Sequence, residues 1–217
     1  MRVCTTKKYE QPWLLPGCRS KKMTSPHEKT CVVGGIFEEL TAVVLKGSRL
    51  QIDSTYECCP DVIKPNTVIE SKASCRTCFV IHENQLVNYR RLHEDHLTSV
   101  WFALWRYRKV DGLPPTDVLT EQVVAGVQDL FLVDFPVVER LADLAPTMYY
   151  IRHREGRVAY RRVDNRALSG LYADPEGFAG EGFTVTRRTV RATISIDGVK
   201  HTTPRFRVVS VLDPLPF

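Results

Sequence analysis

The chain has 217 residues, 43% apolar and 25% charged, a balance that allows one good core with a small appendage and excludes a wholly disordered protein. Its formal charge of +5 is concentrated at the start: Met1–Thr30 holds seven basic residues (Arg2, Lys7, Lys8, Arg19, Lys21, Lys22, Lys29) against Glu10 and Glu28, leaving 23 of each sign in the rest. No uninterrupted apolar stretch approaches the roughly 20 residues of a membrane-spanning helix, so no membrane partner is expected.

Residues 1–30 carry Pro12, Pro16 and Pro26 and no amphipathic period, so they read as an arm. Lys7, Lys8, Arg19, Lys21 and Lys22 are its candidate contacts to a polyanion; a plain solvated terminus explains the same charges. Lys7-Lys8 lead into Tyr9-Glu10-Gln11-Pro12 rather than the apolar run of a signal peptide, and seven cysteines is an odd number. A reducing compartment is therefore expected.

From Cys31 to Ile52 short β-branched runs alternate with Gly34, Gly35 and Gly47, which predicts two short strands, and Phe79–Val87 predicts a third. The clearest strand is Ser99–Arg108. Val100, Phe102 and Leu104 lie on one face and Trp101, Ala103 and Trp105 on the other, so it should be buried on both sides or lie at an assembly contact. Asp111-Gly112-Leu113-Pro114-Pro115 ends it in a turn. A helix follows, capped by Thr116 or Asp117, with Leu119, Val123, Val127 and Leu130 on one face. Pro136–Leu144 fits either a helix, which groups Val137, Val138, Leu141 and Leu144, or a strand, because of the β-branched pair.

Strands resume at Met148. Val190, Ala192, Ile194 and Ile196 alternate with polar residues, Asp197-Gly198 supplies a tight hairpin turn, and the return strand spans about Arg205–Leu212. With no βαβ rhythm, the expected fold is all-β: an antiparallel sandwich with short helices in its loops.

The sequence contains no Gly-x-Ser-x-Gly, no Gly-x4-Gly-Lys-Ser/Thr and no His-Glu-x2-His, so neither enzymatic activity nor a cofactor is expected. Gly177–Gly182 is glycine-rich but lacks a flanking strand and helix, and reads as a flexible loop. Cys59, Cys75, Cys78 and His82 could close a tetrahedral zinc site, with buried free thiols as the alternative. A Cys-His nucleophilic pair, for which Cys78 and His96 are the candidates, lacks a third orienting group. Arg152, Arg154, Arg157, Arg161, Arg162 and Arg166 are interleaved with Tyr149, Tyr150 and Tyr160, and Arg187, Arg188 and Arg191 follow. Guanidinium groups with aromatics can stack bases and pair phosphates; a charged sheet edge that discourages aggregation is the other reading.

His96–Pro114, with a histidine and small polar residues leading into an apolar strand, the basic exit Arg106-Tyr107-Arg108-Lys109, then Gly112 and Pro114, resembles a segment of geminivirus coat proteins. Cys75, Phe135-Pro136-Val137-Val138-Glu139-Arg140, Ala159–Asn165 and Arg205–Asp213 are similar to further segments in the same order, so the likeness covers Cys75–Asp213. It implies an antiparallel jelly-roll capsid domain (31–217) behind a basic arm (1–30), with residues 135–140 as a strand. It also implies self-assembly into a shell around single-stranded DNA, location in the virion and host nucleus, and contact with the nuclear import machinery. The nucleic-acid-binding residues would then be Lys7, Lys8, Arg19, Lys21, Lys22, Arg106, Arg108, Arg152, Arg154, Arg161, Arg162, Arg187 and Arg188. The competing expectation is a zinc-stabilised, nucleic-acid-binding accessory protein built on the cysteine and histidine cluster.

Overall fold

The computed structural model describes residues 25–50, 60–95, 98–152 and 156–213. It opens with a helix where two strands were expected. Helix α1 (Pro26–Leu45) starts at Ser25, whose hydroxyl accepts the Glu28 N–H at 3.2 Å, with proline at the first helical position. It ends at Lys46, whose left-handed conformation (φ 54°) turns its N–H back to the Ala42 and Val43 carbonyls. Val33, Ile36, Phe37 and Leu40 are buried along one stripe. That spacing is helical; burying it outweighs the roughly 1 kcal/mol that each of Gly34 and Gly35 costs a helix interior. Among the described residues of this region the only strand is the two-residue β1 (Ser48–Arg49).

The chain then forms a hairpin of β2 (Val62–Lys64) and β3 (Thr67–Ser74), turning at Asn66 with φ 55°. The strand expected at Phe79–Val87 is cut short: β4 (Phe79–His82) gives way to α2 (Glu83–Asp95), where Leu86 and Tyr89 are buried at helical spacing. Strand β5 (Ser99–Tyr107) runs parallel to β3, a pairing that requires a long crossover, here supplied by β4 and α2. Next come α3 (Thr116–Ala125), β6 (Val127–Asp134) antiparallel to β5, and α4 (Phe135–Asp143). Pro115 holds the cap position of α3 without a side-chain bond, and Val127 and Leu130 belong to β6 rather than to the helix. Residues 135–143 are helical because Asp134 caps Phe135 N–H at 2.8 Å and Pro136 sits in the first turn. The strand implied there by the coat-protein likeness is overruled.

Strands β7 (Thr147–Arg152) and β8 (Gly156–Val163) join β4 in a separate three-stranded antiparallel sheet, and α5 (Asn165–Ala173) and the short α6 (Pro175–Ala179) follow. The glycine-rich 177–182 segment thus contains the end of a helix and a turn. The expected strand through Val190–Ile196 is divided into β9 (Thr184–Val190) and β10 (Thr193–Ile196). Asp197 (φ 51°) and Gly198 (φ 78°) turn β10 into β11 (Val199–Thr202), which is the hairpin's return strand. Finally β12 (Phe206–Leu212) inserts between β6, to which it is parallel, and β9, to which it is antiparallel.

The main sheet therefore has the order β1-β2-β3-β5-β6-β12-β9, mixed in direction, with helices on both faces. This corrects the all-β jelly-roll expectation: the parallel pairs β3–β5 and β6–β12 and the six helices among the described residues define a mixed α/β layered fold. One face packs on α1, α3 and the β10–β11 hairpin around Phe37, Leu40, Ala103, Trp105, Leu119 and Phe206; the other packs on α2, α4, α5 and the small sheet around Phe102, Leu104, Phe131, Phe135 and Leu168. As its doubly apolar pattern predicted, β5 is covered on both sides.

Candidate active site

Asp61 immediately precedes β2. Its main-chain N–H donates to the Ile69 carbonyl at 3.1 Å, and its carboxylate Oδ2 accepts the Ser71 N–H at 2.7 Å. The hairpin thereby fixes Asp61 beside Glu70-Ser71-Lys72. Side chains alternate along a strand, so Glu70 and Lys72 share the sheet face that carries Phe102 and Leu104, their register partners on β5. Ser71 points the other way, to the Thr41 hydroxyl of α1 at 3.0 Å.

Glu70 is only 3% exposed. A buried carboxylate is tolerated when its oxygens are satisfied. Here Oε1 accepts from Gln85 Nε2 at 2.8 Å and from Lys72 Nζ at 2.6 Å, and Oε2 accepts from the Tyr89 hydroxyl. Gln85 and Tyr89 stand four residues apart on α2 and so share one helical face. The Lys72 side chain remains 20% exposed. Burial by itself would lower its pKa, but the Glu70 carboxylate, joined by Asp61 and Glu38, offsets that and holds the ammonium above its ordinary value.

A third carboxylate comes from α1. Glu38 accepts from Arg49 Nε at 2.9 Å, and one turn further along Thr41 is wholly buried. The Thr41 hydroxyl donates to the Phe37 carbonyl at 2.7 Å and accepts the Trp105 indole N–H at 2.8 Å, so α1, β3 and β5 are pinned together under the carboxylates. Asp61 registers the accumulated negative charge: burial, then Glu70, then Glu38 push its pKa up from 3.8 to about 8.

Each of these carboxyls is already matched, Glu70 by Lys72, Gln85 and Tyr89, Glu38 by Arg49, and Asp61 by the proton it retains, so a hard divalent cation would bind by displacing the Lys72 ammonium and the Asp61 proton. Among the described residues no three His, Cys, Asp or Glu side chains converge into a closed cage. Magnesium, however, binds through one or two carboxylates, keeps several waters and takes further oxygens from substrate phosphates. Asp61 and Glu70 are the residues that would hold it, with Glu38 near enough to act on Asp61 electrostatically.

The residues singled out from sequence lie elsewhere. Lys7, Lys8, Arg19, Lys21, Lys22, Arg154 and Cys59 fall outside the described residues, as does His96. Arg106 lies 3.9 Å from Asp129 and over the Tyr172 ring at 5.8 Å, while Arg108 is exposed beyond β5. Arg152 ends β7, paired with Gly156. Arg161 is tied to Glu83 and to the Ala145 carbonyl, whereas Arg162 on β8 is exposed. Arg187 approaches Glu176 at 3.7 Å, and Arg188 is exposed on the other face of β9. Cys75 and Cys78 are part-exposed free thiols between β3 and β4. Cys75 faces Tyr107, whose hydroxyl is held protonated by burial and by that thiol. His82 stands among the rings of Tyr150 (6.0 Å) and Tyr160 (6.5 Å).

Sequence reading missed Glu38, Asp61, Glu70, Lys72, Gln85 and Tyr89. The signal was Asp61 followed nine positions later by Glu70-x-Lys72, an acid and a base on one strand face, then Gln85-x3-Tyr89 on one helix face. Comparison with protein-family models, with characterised proteins and with solved structures finds no match to this chain.

Proposed function

We propose that this protein is a divalent-metal-dependent phosphodiesterase that hydrolyses nucleic acid. The observation that carries the reading is the buried Glu70 with its part-exposed partner Lys72 on β3, with Asp61 held beside them by the Ser71 N–H and its pKa raised by burial and then by Glu70 and Glu38. A bound hard cation supplies charge neutralisation at the phosphate and lowers the pKa of a coordinated water. The protein's own groups do the rest. Glu70, clamped by Gln85 and Tyr89, keeps its oxygens in place without reorganisation. Lys72, with its raised pKa, stays an ammonium; it orients the attacking water and stabilises charge on the phosphoryl oxygens rather than acting as a base. Water gives up one proton to solvent as its oxygen bonds to phosphorus, the ester P–O bond breaks, and the leaving alkoxide takes one proton back from solvent to become an alcohol. A phosphomonoester and a free hydroxyl result.

Nucleic acid is the favoured diester because exposed arginines occupy the same sheet face and the first thirty residues hold the positive excess. The mixed sheet overturns the jelly-roll part of the coat-subunit expectation, and the basic residues that also suggested a coat subunit serve the same nucleic acid in this reading. The experiment is hydrolysis of labelled DNA and RNA by the purified protein with magnesium or manganese and with EDTA. Metal-dependent cleavage that falls at least about a hundredfold in Glu70→Gln and in Lys72→Ala, with folding retained by circular dichroism, is the expected result. No cleavage by wild type with either metal, or full cleavage by both variants, refutes it.

A further inference from the structure

On the face that carries Glu70 and Lys72, the sheet's register sets a row of charged residues running away from β3. Ser74 pairs with Arg106, Arg106 with Asp129, and Asp129 with Arg207, which lies opposite Thr189 on the edge strand. Two residues along β9 from Thr189, Arg187 stands on the same face. Asp129 lies between the first two arginines, 3.9 Å from Arg106 Nη1 and 3.1 Å from Arg207 Nε. Tyr172 of α5 sits under the Arg106 guanidinium and packs on Phe131 with ring centroids 4.7 Å apart. Arg106 is 31% exposed, Arg207 60% and Arg187 53%. The acids nearby are Asp129 and Glu176, so three guanidinium groups face two carboxylates and retain free donors.

We infer that Arg106, Arg207 and Arg187 form a phosphate track that leads a polynucleotide strand across the sheet to Lys72. The inference rests on the proposed hydrolytic site, to which it adds the path of the substrate. Four strand spacings of about 4.8 Å separate β3 from β9, giving a track of roughly 19 Å, which matches five or six phosphates of a duplex strand at about 3.4 Å each. Guanidinium groups present paired donors to phosphate oxygens. Asp129 pre-orients Arg106 and Arg207, so less side-chain freedom is lost when the strand arrives. The Tyr172 ring is already occupied by Arg106 and Phe131, so the track grips backbone rather than bases and binds without regard to sequence.

The test is fluorescence anisotropy in EDTA, where no hydrolysis occurs, with a labelled 30-nucleotide single strand and a 30-base-pair duplex as separate probes. The proteins are wild type, R106Q/R187Q/R207Q, and a charge-matched control, R157Q/R162Q/R166Q, whose arginines lie on the small sheet and α5. The expected result is at least a tenfold weaker Kd for the track variant on at least one probe. The salt slope of log K should flatten by about 2 on the single strand or nearly 3 on the duplex, and the control should stay within twofold of wild type. Wild-type binding by the track variant on both probes overturns the track, whatever the cleavage assay gives. Equal losses in track variant and control also overturn it, since net charge alone would then govern binding. Lost binding without metal-dependent cleavage by wild type leaves the track standing and sinks the hydrolase reading.

Discussion

Replacing Asp61 with asparagine removes a carboxyl that the fold keeps protonated far above its ordinary range, while leaving an oxygen to accept the Ser71 N–H. In the unfolded chain this carboxyl ionises near 3.8; in the folded protein burial, Glu70 and Glu38 delay that to about 8. Between these values unfolding releases a proton, so the contribution of Asp61 to stability is complete below pH 4, declines as pH rises, and is gone above about 8. At about 1.4 kcal/mol per pH unit, a window of roughly four units amounts to about 6 kcal/mol as an upper figure. For a domain of this size that corresponds to a fall in Tm of roughly 10 °C or more. Thermal unfolding in EDTA from pH 4.5 to 9 should therefore show a steep decline for wild type and a much flatter curve for Asp61→Asn, the variant being the more stable above pH 8. Other titrating groups act on both proteins alike and cancel in the difference. Magnesium should raise the wild-type Tm at pH 8.5, because a cation favours the ionised carboxyl, and should do little for the variant. Parallel curves for the two proteins across the whole range, or equal protection by magnesium, would refute the reasoning.

Thr41→Val keeps the volume but leaves the buried Trp105 N–H without its acceptor. A loss of about 1–3 kcal/mol in urea unfolding is expected, with Thr41→Ser restoring most of it; a neutral Thr41→Val would mean that the indole finds another partner. Gly198→Ala meets no neighbouring atom, so its cost is conformational alone. About 1 kcal/mol, or a Tm lower by roughly 2–4 °C, is expected from forcing alanine to φ 78°, and hydrolysis of nucleic acid should be unchanged.

Local signals were legible where a short segment decides its own conformation. Strand β5 announced burial on both faces through Val100 to Trp105, and Asp197-Gly198 announced the turn between β10 and β11. Helix α1 was misread because Val32-Val33 followed by Gly34-Gly35 imitates a strand and turn, while its buried stripe depends on packing against Trp105 and Tyr107 far along the chain. The candidate site was illegible for a similar reason. An acid and a lysine two residues apart on a strand look like a solvated face. What makes Glu70 a buried, preorganised group is Gln85 and Tyr89, fifteen and nineteen residues on, and only the crossover that makes β3 and β5 parallel brings α2 over it.

The position of β12 has a consequence in time. A growing chain emerges from its N-terminal end, so α1, β2, β3, α2 and β5, which hold Glu38, Asp61, Glu70 and Lys72, are all available to fold before the sheet can be finished. Strand β9, by contrast, has no neighbour until residues 206–212 are made, and β6 meanwhile offers an open row of backbone donors and acceptors. The candidate-site residues are thus made early and the row of arginines is completed last, because Arg207 arrives on the strand that closes the gap. A nascent chain stopped before Phe206 would carry all the candidate-site side chains without the complete row of arginines, and an exposed edge that invites association.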